Sequence, residues 1–269
     1  MLIRETGLGV EIETGSYRLL LERTGGYAAR EVTIRDNGRL DRFDRPGEGP
    51  HPTCMYFDNC TINYDFQMGF YGKTNTQIEA EVEQDTVILK GTLLPITESP
   101  RGRVQIEKTL QFGEDSYDVS LQLGFEDTGA IHYASVWWDV HDKWLKAMRS
   151  SAGTFLPLQV GIGDSFDDFL HRSWRPMPEM DRGAGTWMEM IGERTSVMTA
   201  LLSASPCVFQ AGGMKYWDGP DDADAGEGVS HGCINLDLIN CELSQSPPLK
   251  LDQLEASYRV FLSPPSALR

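Results

Sequence analysis

The chain has 269 residues and a formal net charge of −16, because 24 lysines and arginines stand against 40 aspartates and glutamates. Hydrophobic residues make up 40% of the chain and aromatic residues 10%, which is enough to bury a sizeable core. The acidic balance disfavours nucleic acids and anionic membranes as partners, since their phosphates repel a negatively charged surface. It is compatible with a neutral sugar, another small molecule or a cation.

No stretch approaches the roughly 18–20 apolar residues of a membrane span. The first residues, MLIRETGLGVEIETG, lack the apolar segment of a secretory signal, so we expect either a cytoplasmic protein or one whose leader has been removed. The five cysteines form no CxxC pair, and we expect free, buried thiols. We expect one domain over 1–269, and a homo-oligomer remains open.

Short strands separated by turns dominate the sequence. The segments 17–22 and 29–34 are predicted strands joined through a Gly-Gly turn. Polar and apolar residues alternate along 77–94 and again along 102–127, which predicts two hairpins with one solvated face. Further strands are predicted at 196–204, 207–213, 233–244 and 254–263.

Helices and long loops complete the predicted architecture. VHDKWLKAMRS at 140–150 and DSFDDFLHRSW at 164–174 predict short helices. Residues 41–75 and 175–195 predict long loops, the usual place for function in an all-β frame. The pattern favours an all-β, antiparallel β-sandwich with one or two short helices.

Three segments resemble the galactose-mutarotase-like supersandwich of carbohydrate-active proteins. GSYRLLLERTGGYAAREVTIRDNG resembles its first hairpin, VQIEKTLQFGEDSYDVSLQLGFEDTGAIHYASVWWDVH its central pair, and LEASYRVFLS its closing strand. The Asn-His-x-Tyr-Phe-Asn segment of aldose 1-epimerases is absent. The resemblance therefore implies the supersandwich fold and a sugar ligand more strongly than mutarotase activity.

The segment IHYASVWWDVHDKW at 131–144 concentrates side chains that suit sugar chemistry. His132, Tyr133 and His141 are candidate acid–base groups, and Trp137 and Trp138 offer flat apolar surfaces for a sugar ring. The alternative is that the tryptophans are core residues and the histidines bond to backbone.

Two loop-like segments add binding candidates. Residues 51–75 hold Tyr64 and Tyr71 among amide and aromatic groups that either line a sugar cleft or plug one end of the sandwich. Arg172 in HRSWR is placed to clamp the carboxylate of a uronate.

The segment WDGPDDADAGEG at 217–228 begins with Trp217, a further substrate-binding candidate. Its carboxylates Asp221, Asp222 and Asp224 are weak candidates for a Ca²⁺ site, although their spacing does not match an EF-hand. A solvated acidic loop is the alternative, and no cofactor is required.

The segment SHGCINL at 230–236 resembles the Ser-His-Gly-Cys motif of L,D-transpeptidases, in which the cysteine is the nucleophile. The second histidine expected upstream is absent. If this segment is a strand, His231 and Cys233 share a face because their spacing is two. His231 is thus a fourth catalytic candidate.

The leading hypothesis is a carbohydrate-active enzyme that performs His/Tyr acid–base chemistry on a sugar or oligosaccharide, as a lyase, epimerase or glycosidase-like enzyme. Two alternatives stay open. One is a non-catalytic carbohydrate-binding accessory sandwich, and the other is a Cys233-dependent acyl transferase.

Overall fold

The computed structural model describes residues 1–36, 39–42, 55–70, 76–96, 102–141, 147–150, 156–157, 175–176, 186–192, 195–205, 211–217, 231–241 and 246–263. These residues form two antiparallel sheets with a hydrophobic core that draws on both. Among them there is no helix of seven or more residues, and none long and apolar enough to cross a membrane.

The first sheet has eleven described strands. They are β1 (Leu2–Glu5), β2 (Gly9–Glu13), β3 (Tyr17–Glu22), β4 (Ala28–Asp36), β5 (Arg39–Arg42), β6 (Met55–Ile62), β7 (Phe66–Phe70), β12 (Tyr133–His141), β15 (Arg175–Pro176), β18 (Ala211–Trp217) and β19 (His231–Asn240). The strand order is β1-β2-β3-β4-β6-β12-β19-β18-β15, with β5 paired to β4 and β7 to β6.

The second sheet has nine described strands. They are β8 (Thr76–Glu83), β9 (Thr86–Leu93), β10 (Arg103–Phe112), β11 (Ser116–Glu126), β13 (Ala147–Ser150), β14 (Leu156–Pro157), β16 (Thr186–Ile191), β17 (Ser196–Ser205) and β20 (Gln253–Ser263). Their order is β14-β13-β16-β17-β20-β11-β10-β9-β8.

The two hairpins that the sequence predicts most clearly have strict alternation of polar and apolar residues. β8 pairs with β9 and β10 pairs with β11, each in continuous register. Along β10, burial alternates residue by residue, so every second side chain enters the core. The predicted hairpins over 77–94 and 102–127 are confirmed, and so is the antiparallel β-sandwich.

Several local predictions are wrong. The helix predicted over 140–150 is contradicted because Val140 and His141 belong to β12 and Ala147–Ser150 forms β13. Strand pairing with β16 overrides the local helical pattern of this segment. The loops predicted over 41–75 and 175–195 contain β6, β7 and β16, while the helix predicted at 164–174 lies outside the described residues.

A charged cluster lies inside the core and links the two sheets. Lys108 of β10 and Asp58 of β6 are only 1% and 2% exposed. The Lys108 Nζ lies 3.0 Å from Asp58 Oδ1 and donates to the Asp58 carbonyl oxygen at 2.9 Å. The hydroxyls of Tyr117 and Tyr258 donate to the two carboxylate oxygens at 3.1 and 2.7 Å. The buried carboxylate thus has three donors from the second sheet.

Because Lys108 and Asp58 are both buried, each charge is tolerated only while the other is present. We expect Lys108→Met to lower the free energy of unfolding by about 3–5 kcal/mol, because it leaves the Asp58 carboxylate buried without its cation. The matched control is Lys90→Met. Lys90 pairs with Glu107 at 3.3 Å on the exposed side of the same sheet, where such a pair contributes about 0–1 kcal/mol. Chemical denaturation with both variants measures the difference.

A double variant separates charge burial from packing. Lys108→Met combined with Asp58→Asn removes both charges, so its loss should be smaller than the sum of the two single losses. Equal losses for Lys108→Met and Lys90→Met would contradict the role assigned to the buried pair.

Alkaline pH should unfold the protein through the same cluster. Burial, followed by the nearby Asp58 carboxylate, raises the pKa of Tyr117 and Tyr258 well above the ordinary value, and burial raises the pKa of Cys60 to about 12. The tyrosine contribution is therefore complete below pH ~10, where both states keep their protons. Above that pH the unfolded chain releases protons that the folded chain retains, so stability falls. Melting temperatures measured between neutral and strongly alkaline pH should decline less steeply for Tyr258→Phe than for the wild type. Parallel declines would refute the assignment.

Candidate functional site

The central strands of the first sheet bury polar side chains on the face opposite the core. Along β12, Ala134, Val136 and Trp138 belong to the core, whereas Tyr133, Ser135 and Trp137 occupy the alternate positions. These alternate residues are 4%, 1% and 4% exposed. We call this second face of β6, β7, β12 and β19 the polar face.

Register aligns the polar face into rows that cross the strands. Thr61 of β6 lies opposite Gln67 of β7 and Ser135 of β12, and Ser135 lies opposite Asp237 of β19. All four residues are at most 6% exposed. The row combines a carboxylate, an amide and two hydroxyls, and these groups can bind a polyhydroxylated ligand.

The next rows continue along β12. Trp137 lies opposite Asn59 of β6 and opposite Asn235 of β19. Four residues further along β12, His141 pairs with His231, and His231 pairs with Trp217 of β18. The backbone register therefore brings the predicted residues His141, His231 and Trp217 into one row, in step with Trp137.

A tight hairpin fixes the other end of the polar face. Asn63 and Tyr64 connect β6 to β7 with φ values of 51° and 59°, and the Asp65 N–H donates to the Ile62 carbonyl at 3.0 Å. Two successive positive φ angles are the geometry of a type I′ turn, which asparagine tolerates well. The turn supports Tyr64 next to the start of β12.

The Asn63 side chain ties this turn to β12. Its Oδ1 accepts the backbone N–H groups of His132 and Tyr133 at 3.0 and 3.1 Å, and its Nδ2 donates to the Ala130 carbonyl at 3.1 Å. These three bonds position the chain where it enters β12.

Tyr133 is a buried phenol at this end of the polar face. Its ring stacks on Tyr64 with centroids 4.5 Å apart and planes 8° from parallel. Burial, with Asp237 as a second cause, raises the pKa of Tyr133 well above its ordinary value. The Tyr133 hydroxyl therefore keeps its proton at physiological pH.

Comparison with solved structures identifies the architecture. A protein from Klebsiella pneumoniae subsp. pneumoniae, proposed to be an aldose 1-epimerase, aligns with a TM-score of 0.54 and 11% identity, over 96% of this chain and 80% of that chain. The fold is galactose-mutarotase-like. A galactose mutarotase-like protein from Clostridium acetobutylicum aligns over 95% of both chains, with a TM-score of 0.47 and 10% identity. No family model and no curated protein sequence matches the chain.

The galactose-mutarotase-like fold separates the predicted residues of 131–144. Trp138 is fully buried in the core, where its ring meets Tyr258 edge-on at 5.3 Å, so we leave it out of the candidate site. His132 is exposed and precedes β12, whereas His141 ends that strand. Nine residues of strand span roughly 30 Å, so one sugar ring cannot contact both histidines.

Of the remaining predicted residues, Cys233 lies in a described strand, whereas five others lie outside the described residues. Cys233 lies within β19, opposite Asp139 and Lys215 in the backbone register, and its role as a nucleophile stays a prediction. Within the described ranges, no group of three or more His, Cys, Asp or Glu side chains could hold a metal ion. The predicted residues Tyr71, Arg172, Asp221, Asp222 and Asp224 lie outside the described residues.

The polar row that contains Thr61, Gln67, Ser135 and Asp237 was not predicted from the sequence. A signal was present in the strand around Thr61, because CTI places one hydroxyl between two apolar residues that enter the core. The Asn-Tyr-Asp turn that follows was taken as part of a long loop, and this obscured the period-two pattern on either side of it.

The Asn63 turn yields a test with an internal control. Asn63→Gly keeps the positive φ but removes three hydrogen bonds, and we expect a loss of about 1–3 kcal/mol in the free energy of unfolding. Asn63→Ala adds the strain of a left-handed backbone and should lose about 1 kcal/mol more. Denaturant titration of both variants measures these losses, and equal stability of wild type and Asn63→Gly would contradict the anchoring role.

Proposed function

We propose that the protein is a carbohydrate-active enzyme that performs acid–base chemistry on a sugar bound over the polar face. The observation that carries the proposal is the direct pairing of His141 with His231 in the register of β12 and β19. Directly opposed residues of an antiparallel pair have Cα atoms about 4.5–5.5 Å apart. We infer from this backbone register that the two histidines serve one substrate.

The chemistry of paired imidazoles suits proton transfer in both directions. Histidine has an ordinary pKa of about 6.5, and two neighbouring imidazoles disfavour a doubly protonated state. One histidine can therefore accept a proton while the other donates one. Epimerisation, ring opening and elimination next to a carbonyl all require such a pair of groups.

The adjacent rows supply the groups that sugar recognition needs. Trp137 is 4% exposed, so only an edge of its indole is open to the C–H face of a sugar ring. Asn59 and Asp237, which are 2% and 1% exposed, offer buried amide and carboxylate groups for hydroxyls. The buried Asp237 carboxylate and the net charge of −16 favour a neutral sugar over an anionic one.

The test compares the two ends of β12. Purified wild type is incubated with a panel of neutral mono- and oligosaccharides, with polarimetry for anomer exchange, ultraviolet absorbance for elimination and chromatography for hydrolysis. His141→Ala and His231→Ala should each lower kcat by about 10²–10⁴-fold, because each removes one acid–base group. His132→Ala, some 30 Å away along β12, should retain activity.

Other outcomes decide between the remaining functions. Sugar binding without turnover, unchanged by either histidine variant, would refute catalysis and identify an accessory binding protein. Activity that is abolished by Cys233→Ala and retained in His141→Ala would refute the histidine pair in favour of acyl transfer. Equal loss in His132→Ala and His141→Ala would also contradict the proposal.

A further inference from the structure

Three buried polar atoms at the Tyr64 end of the polar face have no hydrogen-bond partner among the described residues. They are Thr61 Oγ1, Gln67 Oε1 and the Tyr133 hydroxyl. Their residues are 2%, 6% and 4% exposed. A buried polar atom without a partner is strongly disfavoured, and three such atoms close together indicate a place where a polar group binds.

The three residues are neighbours through the sheet register. Thr61 is directly opposite Gln67, and Ser135 is directly opposite Thr61 on the other side. Tyr133 lies two residues from Ser135, which places it diagonally across from Thr61 on the same face. Diagonal neighbours lie about 7–8 Å apart at Cα, a gap that one small ligand group can bridge.

Neighbouring bonds hold these side chains in place. The Gln67 Nε2 donates to the Tyr64 carbonyl at 2.8 Å, which fixes the amide and leaves its Oε1 as an acceptor. The Tyr133 ring is fixed by its stacking on Tyr64. The Gln67 and Tyr133 side chains are therefore already ordered, and a ligand would pay little to order them.

The hydrogen-bonding capacity of these three atoms indicates which kind of ligand group they can bind. Gln67 Oε1 only accepts hydrogen bonds, whereas the Thr61 and Tyr133 hydroxyls can both donate and accept. A hydroxyl group satisfies such a set because it also donates and accepts. An anion would meet the Gln67 oxygen and the nearby Asp237 carboxylate, and Ca²⁺ prefers more carboxylates than this patch supplies.

We propose that Thr61, Gln67 and Tyr133 form a subsite for the hydroxyls of a neutral sugar unit, separate from the histidine pair. The identity of the ligand as a sugar rests on the proposed function. Eight residues of β12 separate Tyr133 from His141, or roughly 26 Å. A ligand that occupies this subsite and reaches the histidines is therefore an oligosaccharide.

Crystals soaked in glucose, galactose or maltotriose test the subsite directly. A sugar hydroxyl within hydrogen-bond distance of at least two of the three atoms supports the proposal. Density for ordered water alone, or for a cation at metal–oxygen distances, in all three soaks overturns it.

Conservative variants give a second readout. Tyr133→Phe keeps the stacked ring and Thr61→Val keeps the shape, so each should leave the melting temperature unchanged or higher, since no hydrogen bond is lost. Each should weaken maltotriose affinity, measured by calorimetry, by about tenfold. Tyr258→Phe is the matched control, because its hydroxyl bonds to Asp58 in the core. It should lower the melting temperature and leave affinity unchanged.

A fall in melting temperature for Tyr133→Phe as large as for Tyr258→Phe would show a structural role and overturn the subsite.

Failure of this inference differs from failure of the proposed function. Turnover that depends on His231, with no sugar at Thr61 and Tyr133 in any soak, removes the subsite and keeps the enzyme. A sugar bound at the subsite of a protein that converts none of the panel keeps the subsite and removes the acid–base chemistry.

Discussion

The buried pair of Asp58 and Lys108 is the constraint on which the rest of the architecture depends. Lys108 occupies an inward position of β10, between the buried residues Ile106 and Leu110, where a charge is tolerated only with a partner. Asp58 supplies that partner from the opposite sheet, and Tyr117 and Tyr258 complete its hydrogen bonds. The two sheets can satisfy these groups only in one relative arrangement, whereas apolar contacts alone would tolerate sliding. We therefore regard the cluster as the feature that fixes how the sheets face each other.

The same aspartate determines which residues of β6 reach the polar face. Asp58 has a φ of 58°, and the register of β6 with β7 shifts between Met55 and Cys60. Phe57 and Asp58 consequently both enter the core, although neighbouring strand residues normally point to opposite sides. After this irregularity Cys60 and Ile62 face the core, which leaves Asn59 and Thr61 for the polar face. A regular strand through Asp58 would exchange the two sets, so the core cluster and the candidate site depend on one backbone irregularity.

The sequence predicted those parts of the fold that follow from local alternation. β8 to β11 each have a more exposed and a more buried face, and their period-two pattern predicted both hairpins. β6 and β12 were harder, because both of their faces are buried and their polar residues do not mark solvent. Lys108 did carry a signal, since it falls in the apolar phase of VQIEKTLQF, but its partner Asp58 is fifty residues away and occupies a left-handed position. Long-range pairing of this kind cannot be read from periodicity, and neither can the row that aligns His141 with His231.

The arrangement along β12 explains why the residues of IHYASVWWDVH cannot form one catalytic centre. Alternation sends Trp138 into the core and Trp137 to the polar face, and strand length places Tyr133 and His141 at opposite ends. Each end has its own chemistry. The Tyr133 end holds neutral hydroxyls and an amide, and burial raises the pKa of the phenol, which therefore keeps its proton. In the function proposed above, proton transfer falls to His141 and His231, and an extended sugar chain would lie along β12 between the two ends.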